Sequence, residues 1–319
     1  VSANGSGNVL LDAAAGSLTA NGDIVSDTGH LTLKAQNDIT LNDGVDVATA
    51  TAGTISLNAA TGAITMAGDA NITATGSSAR LAAQGDITLG NVTAADVSID
   101  SNGGDLINAA GSTLNVTATN LRLQAQGAIG TSDRHLTTDI ANLSALAETG
   151  SIFLTEVDGV TLTDVQVSVT EFNADTTTTV VTDAAQSDLT TETNNGDIVL
   201  VATAGDITLN DGADADDIAV TANGSGNILL DAAAGSLTAN GDIVSDTGHL
   251  TLKAQSDITL NDGVDVATAT AGTISLNAAT GAITMTGGAN ITATDSSARL
   301  AAQSNITLGN VTATDVSID

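Results

Sequence analysis

The amino-acid sequence predicts an all-β fold, namely a right-handed parallel β-helix (β-solenoid) with about three short strands per coil of ~22–26 residues. Three observations predict this fold: a long internal repeat, a short apolar–polar rhythm within it, and a hydrophobic composition almost without aromatic residues. Hydrophobic residues make up 42% of the 319 residues, yet only Phe153 and Phe172 are aromatic, and the sequence has no proline or cysteine. Ala, Val, Ile and Leu must therefore form the core, and small or β-branched side chains suit thin layers of sheet.

The long repeat relates two parts of the chain that lie 219 residues apart. Residues 1–100 recur at 220–319, and nine of the 100 aligned pairs differ. The one clear apolar change, from Val9 to Ile228, adds a single methylene group. We therefore expect residues 1–219 to be one full long repeat of the solenoid, and residues 220–319 to be the first part of the next repeat, continuous with the same rod.

The short rhythm consists of similar phrases that return once per coil. Gly-His-Leu-Thr-Leu-Lys-Ala at 29–35 is followed 24 residues later by Gly-Thr-Ile-Ser-Leu-Asn-Ala at 53–59. Each phrase alternates apolar with polar residues, which is typical of a half-buried strand. The residues predicted to point inward include Leu31, Leu33, Ile39, Leu41, Ile55, Leu57, Ile87 and Leu89. Those predicted to point outward include Thr32, Lys34, Thr40, Ser56 and Thr88.

An antiparallel β-sandwich is the alternative to the solenoid. The Asn-Asp-Gly triplets at 42–44 and 210–212 could close β-hairpins, which a sandwich needs. A sandwich would not require the near-constant spacing of three strands, and it would favour bulkier side chains between its sheets. The solenoid is therefore the preferred interpretation, with each strand stacked in register on its copy one coil away.

Two segments depart from the rhythm. A Thr-rich break near 176–195 has little apolar content, and residues 130–142 are also irregular. The break is expected to be a widened coil or a projecting loop. Loops on a solenoid are places where binding sites occur, but tolerated insertions are the favoured interpretation of both segments.

The charge of the chain excludes several classes of partner. Six basic residues stand against 37 acidic residues, which gives a formal net charge of −31. Such a chain is not expected to bind nucleic acid, because that binding depends on Lys and Arg at the phosphates. No run of about 18 apolar residues occurs, so no membrane insertion is expected within this segment.

The inventory of reactive side chains predicts that the protein is not an enzyme and has no catalytic residues. The histidines are His30, His135 and His249, and His30 and His249 are copies of each other in the long repeat. A catalytic residue is rarely duplicated in every repeat, so an outward structural role is expected for these two. Polysaccharide-cleaving β-helices need paired carboxylates, and they usually present aromatic platforms for sugars, but this chain has no Trp or Tyr.

One acidic turn is a candidate for a metal ion. Asp211, Asp214, Asp216 and Asp217 place four carboxylates within a single predicted turn, and oxygen-rich loops of this kind suit Ca²⁺. The spacing is not that of an EF-hand loop, and the Gly-Gly-x-Gly-x-Asp nonapeptide is missing. A solvated acidic turn is the favoured alternative, and calcium is the only cofactor that the sequence suggests.

The repeated phrases resemble those of a known class. Gly-Asp-Ile-Thr-Leu, Gly-His-Leu-Thr-Leu-Lys-Ala and Gly-Thr-Ile-Ser-Leu-Asn-Ala are similar to the filamentous-haemagglutinin-like repeats of large bacterial adhesins. The resemblance covers most of the chain except the Thr-rich break, and the secretion-domain motifs of that class are absent. The resemblance implies a surface-exposed or released fibre from a Gram-negative bacterium, with the repeats serving as the shaft in adhesion, aggregation or biofilm contact.

Three functions follow as hypotheses. The first is a passive shaft that holds a binding tip away from the cell, because a shaft needs length more than distinct sites. The second is a self-assembling filament or sheath that stacks through open coil ends, since exposed strand edges pair readily. The third is a glycan-binding solenoid that uses the irregular loops. The expected partners are other copies of the rod or cell-surface glycans and proteins.

Overall fold

The structure is a computed structural model that describes residues 1–214 and 216–319. The strands of this part of the chain stack as a parallel β-solenoid of about 14 turns, with about 23 residues per turn and no helix. The predicted fold class is therefore confirmed. The coils form two compact units: unit 1 is Val1–Ile140 with Val165–Ala185, and unit 2 is Ala141–Asp164 with Gln186–Asp319. The start of the second repeat copy, at Val220, lies inside unit 2.

The strands are short, and most have three to five residues. Unit 1 contains β1 (Ser2–Ala3), β2 (Val9–Ala13), β3 (Leu18–Ala20), β4 (Ile24–Ser26), β5 (Leu31–Ala35), β6 (Ile39–Leu41), β7 (Asp46–Thr49), β8 (Ile55–Ala59), β9 (Ile64–Met66), β10 (Asn71–Ala83), β11 (Ile87–Leu89), β12 (Asn91–Ser101), β13 (Leu106–Asn108) and β14 (Val116–Ala125). The next strand, β15 (Leu136–Ala147), runs from unit 1 into unit 2. The next two strands, β16 (Ile152–Glu156) and β17 (Val160–Leu162), belong to unit 2. The two that follow, β18 (Ser168–Phe172) and β19 (Thr178–Thr182), belong to unit 1.

The remaining strands belong to unit 2. They are β20 (Leu189–Thr191), β21 (Ile198–Ala202), β22 (Ile207–Leu209), β23 (Ile218–Ala222), β24 (Ile228–Ala232), β25 (Leu237–Ala239), β26 (Asp242–Ser245), β27 (Leu250–Ala254), β28 (Ile258–Leu260), β29 (Asp265–Thr268), β30 (Ile274–Ala278), β31 (Ile283–Met285), β32 (Asn290–Ala302), β33 (Ile306–Thr307) and β34 (Asn310–Ile318). Almost every one contains Ile, Leu or Val on alternate positions, which is why these stretches extend rather than coil into helices.

Parallel ladders in each unit stack like residues on like residues. In unit 1, Leu33 of β5 pairs with Leu11 of β2 on one side and with Leu57 of β8 on the other. In unit 2, Leu252 of β27 pairs with Leu230 and Leu276 in the same way. The core of each unit is therefore a set of aliphatic columns, and water is excluded by their stacking rather than by large aromatic side chains.

The predicted inward residues are confirmed as core. All eight are fully buried, namely Leu31, Leu33, Ile39, Leu41, Ile55, Leu57, Ile87 and Leu89. The predicted outward residues Lys34, Thr40 and Thr88 are partly exposed. Thr32 and Ser56 are also fully buried, although they alternate with the core positions. Their burial has a separate cause, because a second layer covers this face of unit 1.

This second layer is the antiparallel pair β18 and β19, which with its flanks Val165–Ala185 we call the docked hairpin. Glu171 forms an ion pair with Lys34 at 2.6 Å and accepts a hydrogen bond from Ser56 at 2.7 Å. The Phe172 amide donates to Thr32 Oγ1 at 2.8 Å, and Arg80 pairs with Asp183 at 2.8 Å. The first part of the Thr-rich break therefore forms the exposed strand β19, which pairs with β18, while β18 and Asp183 contact the coils.

Glycine and a small hydroxyl residue form one corner of each coil. Ser26 Oγ donates to the carbonyl of Gly7 at 2.7 Å and accepts from the amide of Gly29 at 2.9 Å. A Cβ atom at Gly29 would lie 2.0 Å from the Gly7 carbonyl oxygen, and one at Gly248 would lie 1.9 Å from that of Gly226. Glycine is thus required here because neighbouring coils approach through their backbones.

Candidate functional site

A concentration of negative charge in unit 2 lies at the acidic turn that contains Asp211, Asp214, Asp216 and Asp217. The turn follows β22 and leads into β23, and β23 stacks on β20 with Leu189 opposite Val220. Asp188 immediately precedes β20, so the register places it one coil away from the acidic turn. We call Asp188, Asp211 and Asp214 the carboxylate cluster.

The three carboxylates of the cluster converge on one point. One oxygen from each residue lies within 4.8 Å of the corresponding oxygens of the other two. Calcium binds oxygen ligands at about 2.3–2.6 Å, so three oxygens at such separations can contact the same ion. The cluster therefore has the dimensions of a partial cation site.

Asp188 is the buried member of the cluster. It is 6% exposed, and its Oδ1 is buried without a hydrogen-bond partner among the described residues. Its backbone has a φ of 65°, a left-handed conformation that Asp tolerates better than most residues, while its carbonyl accepts a hydrogen bond from Ala145 at 2.9 Å. The strand register thus holds this carboxyl group in a buried position, with the Ser187 side chain as a hydrogen-bonding neighbour.

The other two members of the carboxylate cluster, Asp211 and Asp214, differ in burial. Asp211 is half-buried, and its Oδ1 is also buried without a partner in the described residues. Asp214 is exposed and accepts a hydrogen bond from Ser187 Oγ at 2.8 Å. The amide of Ala213 donates to Asp164 Oδ1 at 3.0 Å, which ties the turn to the coil below it.

The electrostatics of the cluster disfavour its charged state. Burial, followed by the negative charges of Asp214, Asp216 and Asp211, raises the pKa of Asp188 to about 7. Burial and the charges of Asp214, Asp216 and Asp217 also raise the pKa of Asp211. A bound divalent cation would oppose these effects, because a nearby opposite charge favours the ionised carboxylate.

The sequence-based prediction named two of the three residues that converge. Asp211 and Asp214 are in the cluster, whereas Asp216 and Asp217 are exposed and outside it. Ala215, which separates Asp214 from Asp216, lies outside the described residues. Asp216 caps the start of β23 by accepting from the amide of Ile218 at 2.9 Å. Asp216 and Asp217 therefore act on the cluster through their charge.

Asp188 is the residue that the sequence analysis missed. It lies in the Thr-rich break, which lacks the regular phrases, so its place in the stack could not be read from the rhythm. The signal was the short run Leu189-Thr190-Thr191, whose alternation continues the column that includes Val220. Aligning Leu189 with Val220 would have placed Asp188 beside the acidic turn.

The two repeated histidines, His30 and His249, contact threonines. His30 Nδ1 lies 3.0 Å from Thr54 Oγ1 and accepts a hydrogen bond from the Thr54 amide at 3.2 Å. In the second copy, His249 Nδ1 makes the same contacts with Thr273 at 2.9 and 3.0 Å. Both side chains link adjacent coils, in keeping with the structural role expected of them.

Comparisons with family models, with curated proteins and with solved structures found no match to this chain. The class of protein is therefore defined by its own architecture, which is a repetitive parallel β-solenoid. No helix among the residues described is both long enough and apolar enough to cross a membrane.

Proposed function

We propose that this chain is a shaft segment of an extracellular adhesin fibre, and that it extends a binding tip or mediates contact between cells and surfaces. The observation that carries this proposal is the recurrence of 100 residues at an offset of 219 with nine differences. Near-identity over whole coils preserves every packing column. Selection for a length of stackable coils accounts for this near-identity better than selection for a single binding site does.

The polar surface supports the same proposal. The net charge of −31 promotes solubility and opposes lateral aggregation of neighbouring fibres. The absence of cysteine and the paucity of aromatic residues leave few groups for redox chemistry or sugar stacking. A non-catalytic role at the surface of a Gram-negative cell is consistent with these features and with the resemblance to filamentous-haemagglutinin-like repeats.

Surface labelling tests this function. Antibodies raised against residues 1–319 should label intact cells that produce the protein, and should do so without permeabilisation. An antibody against a cytoplasmic protein of the same cells is the control for leakage. Labelling that requires permeabilisation would overturn the extracellular proposal.

Binding by the isolated chain separates a shaft from a glycan-binding solenoid. If the segment only extends a binding tip, beads coated with the chain should show no saturable binding to glycan arrays or to cells, because such a shaft carries its ligand site elsewhere. Saturable binding that is lost when Thr176–Thr179 is replaced by a Gly-Ser linker would instead assign recognition to the tip of the docked hairpin. That result would contradict the passive role.

A further inference from the structure

We propose that Asp188, Asp211 and Asp214 of unit 2 bind one calcium ion, which links two successive coils. The proposal differs from a calcium loop formed by one turn, because one ligand comes from the coil that precedes the turn. It also goes beyond the shaft function, since a shaft requires no metal.

The buried carboxylate of Asp188 carries the inference. Acidic turns are common on this chain and need no ligand when their charges are solvated, as at Asp43, which is exposed. Asp188 differs because it is 6% exposed, its Oδ1 is buried without a hydrogen-bond partner, and one of its carboxylate oxygens lies within 4.8 Å of an oxygen of each of two further carboxylates. Buried charges in proteins are paired or coordinate metals, so a cation is the partner that we assign to the ionised form of this carboxyl group.

Calcium fits the site better than softer metals. All three side chains offer carboxylate oxygens, the ligand type that Ca²⁺ and Mg²⁺ prefer, and no cysteine exists in the sequence. Mg²⁺ demands near-ideal octahedral geometry, whereas Ca²⁺ accepts irregular coordination completed by water. The exposed side of Asp214 leaves room for such water.

Titration calorimetry of the full chain, first stripped with chelator, tests the site at constant ionic strength. We expect one saturable calcium site with a dissociation constant of order 10⁻⁴ to 10⁻³ M, the range of extracellular modules. Asp214→Asn, which changes an exposed residue and should fold normally, is expected to weaken binding at least about tenfold. Asp43→Asn is the matched control, because Asp43 also follows an Ile-Thr-Leu strand, and it should bind as the unaltered chain does.

Thermal unfolding of Asp188→Asn gives a second readout. Because a buried charge is removed, the calcium-free variant should melt at a higher temperature than the calcium-free unaltered chain. Calcium should raise the melting temperature of the unaltered chain but not that of the variant. A chain without saturable binding, or an Asp214→Asn variant that binds as tightly as the unaltered chain, would overturn the site. If Asp188→Asn stabilises the calcium-free chain but calcium does not change the melting temperature of the unaltered chain, the three carboxylates merely repel one another. That result would also overturn the proposed calcium site.

A second inference comes from the two copies of the long repeat. In unit 1 the docked hairpin covers a sheet face that includes Thr32, Lys34, Thr54, Ser56 and Arg80. The same residues recur in unit 2 as Thr251, Lys253, Thr273, Ser275 and Arg299, which we call the uncovered face.

The uncovered face lacks the contacts that its copy makes with the hairpin. The Arg299 side chain is 52% exposed, against 12% for Arg80. Lys253 is 45% exposed and lies 3.6 Å from Asp231, whereas Lys34 lies 2.6 Å from Glu171. Arg299 contacts Asp319 at 3.0 Å on the surface.

The geometry points to a second copy of the segment 165–185, presented by another long repeat, as the occupant of the uncovered face. The face keeps the five residues named above, whereas Arg122, which donates to the Ala184 carbonyl of the hairpin at 3.2 Å, has no counterpart in residues 220–319. Its two basic side chains match the carboxylates of Glu171 and Asp183, and its hydroxyls match the polar groups at the edge of β18.

An extended chain tests this docking. Residues 101–219 are appended after Asp319, which is the repeat equivalent of Asp100, so that a second hairpin follows at the native separation. Hydrogen exchange of residues 250–254 and 274–278 should then slow at least about tenfold relative to the parent chain. The same extended chain with Glu171→Ala and Asp183→Ala made only in the appended copy should lose most of this protection.

Stacking of additional coils is the competing cause of protection, and the variant separates it from docking. If the appended residues slow exchange equally with and without the two substitutions, or do not slow it at all, the docking proposal is wrong. The substitutions lie on the hairpin, so the coils themselves are unchanged.

Discussion

At the scale of single residues, the close approach of neighbouring coils constrains Gly29 at the coil corner. Substituting Gly29→Ala would place a Cβ atom 2.0 Å from the Gly7 carbonyl oxygen, so the backbones of two coils would have to separate. We expect a loss of about 1–3 kcal/mol in the free energy of unfolding, as for other overpacked sites. Urea-induced unfolding followed by circular dichroism measures this loss.

Gly16→Ala provides the control for the effect of adding a methyl group to glycine. A Cβ atom at Gly16 meets no atom within 4 Å. Equal destabilisation by both substitutions would show that close approach of the coils is not the cause.

His30 gives the stability of the chain a dependence on pH. Burial lowers the pKa of His30 below its usual value of 6.5, and its Nδ1 accepts the Thr54 amide, which requires the neutral ring. As the pH falls below about 6.5, the unfolded chain takes up the proton before the folded chain does, so this contribution to stability is lost. We expect His30→Asn to reduce the loss of stability between pH 7.5 and 5.

Chemical unfolding measured at both pH values checks this expectation. An equal loss of stability in the His30→Asn variant and in the unaltered chain would contradict the role assigned to His30.

At the scale of elements, the docked hairpin depends on Glu171. Its carboxylate contacts both Lys34 and Ser56, and Lys34 remains 32% exposed, so solvent screens part of the ion pair. We expect Glu171→Ala to cost about 1.5–3 kcal/mol in the free energy of docking, the range for hydrogen bonds to charged groups. Hydrogen exchange of residues 168–182 should quicken accordingly.

The exposed Glu192 supplies a control of the same residue type. Glu192→Ala should leave exchange of the hairpin unchanged. If Glu171→Ala also leaves it unchanged, then the remaining contacts, including Arg80 with Asp183, hold the hairpin without Glu171.

The same element marks the limit of what the sequence predicts. Alternation along each phrase was sufficient to identify the core columns, because Leu31, Leu33 and their equivalents depend on neighbours one coil away. The hairpin segment also alternates, with Val165, Val167 and Val169 buried, but its alternation does not identify the face that it covers, because Glu171 meets Ser56 across 115 residues of sequence. The sequence did not place Asp188 in the carboxylate cluster for a related reason, because its neighbours depend on how an irregular coil stacks on a regular one.

At the scale of the whole molecule, the net charge of −31 is the dominant long-range term. Repulsion among like charges destabilises a compact chain, and salt shortens the Debye length from about 30 Å at 0.01 M to about 8 Å at 0.15 M. We expect sodium chloride to raise the melting temperature over this range. Scanning calorimetry measures the shift, and a melting temperature that falls with salt would contradict it.

The repeated register also has a genetic consequence. Removing residues 51–269 would join Ala50 to Thr270, which restores the Ala-Thr junction already present at 50–51. Strand β5 would then meet β30 with Leu31 opposite Ile274, as Leu31 now meets Ile55. Recombination between the two homologous stretches of coding DNA can thus shorten or lengthen the protein by whole units, and each product inherits a junction already compatible with stacking.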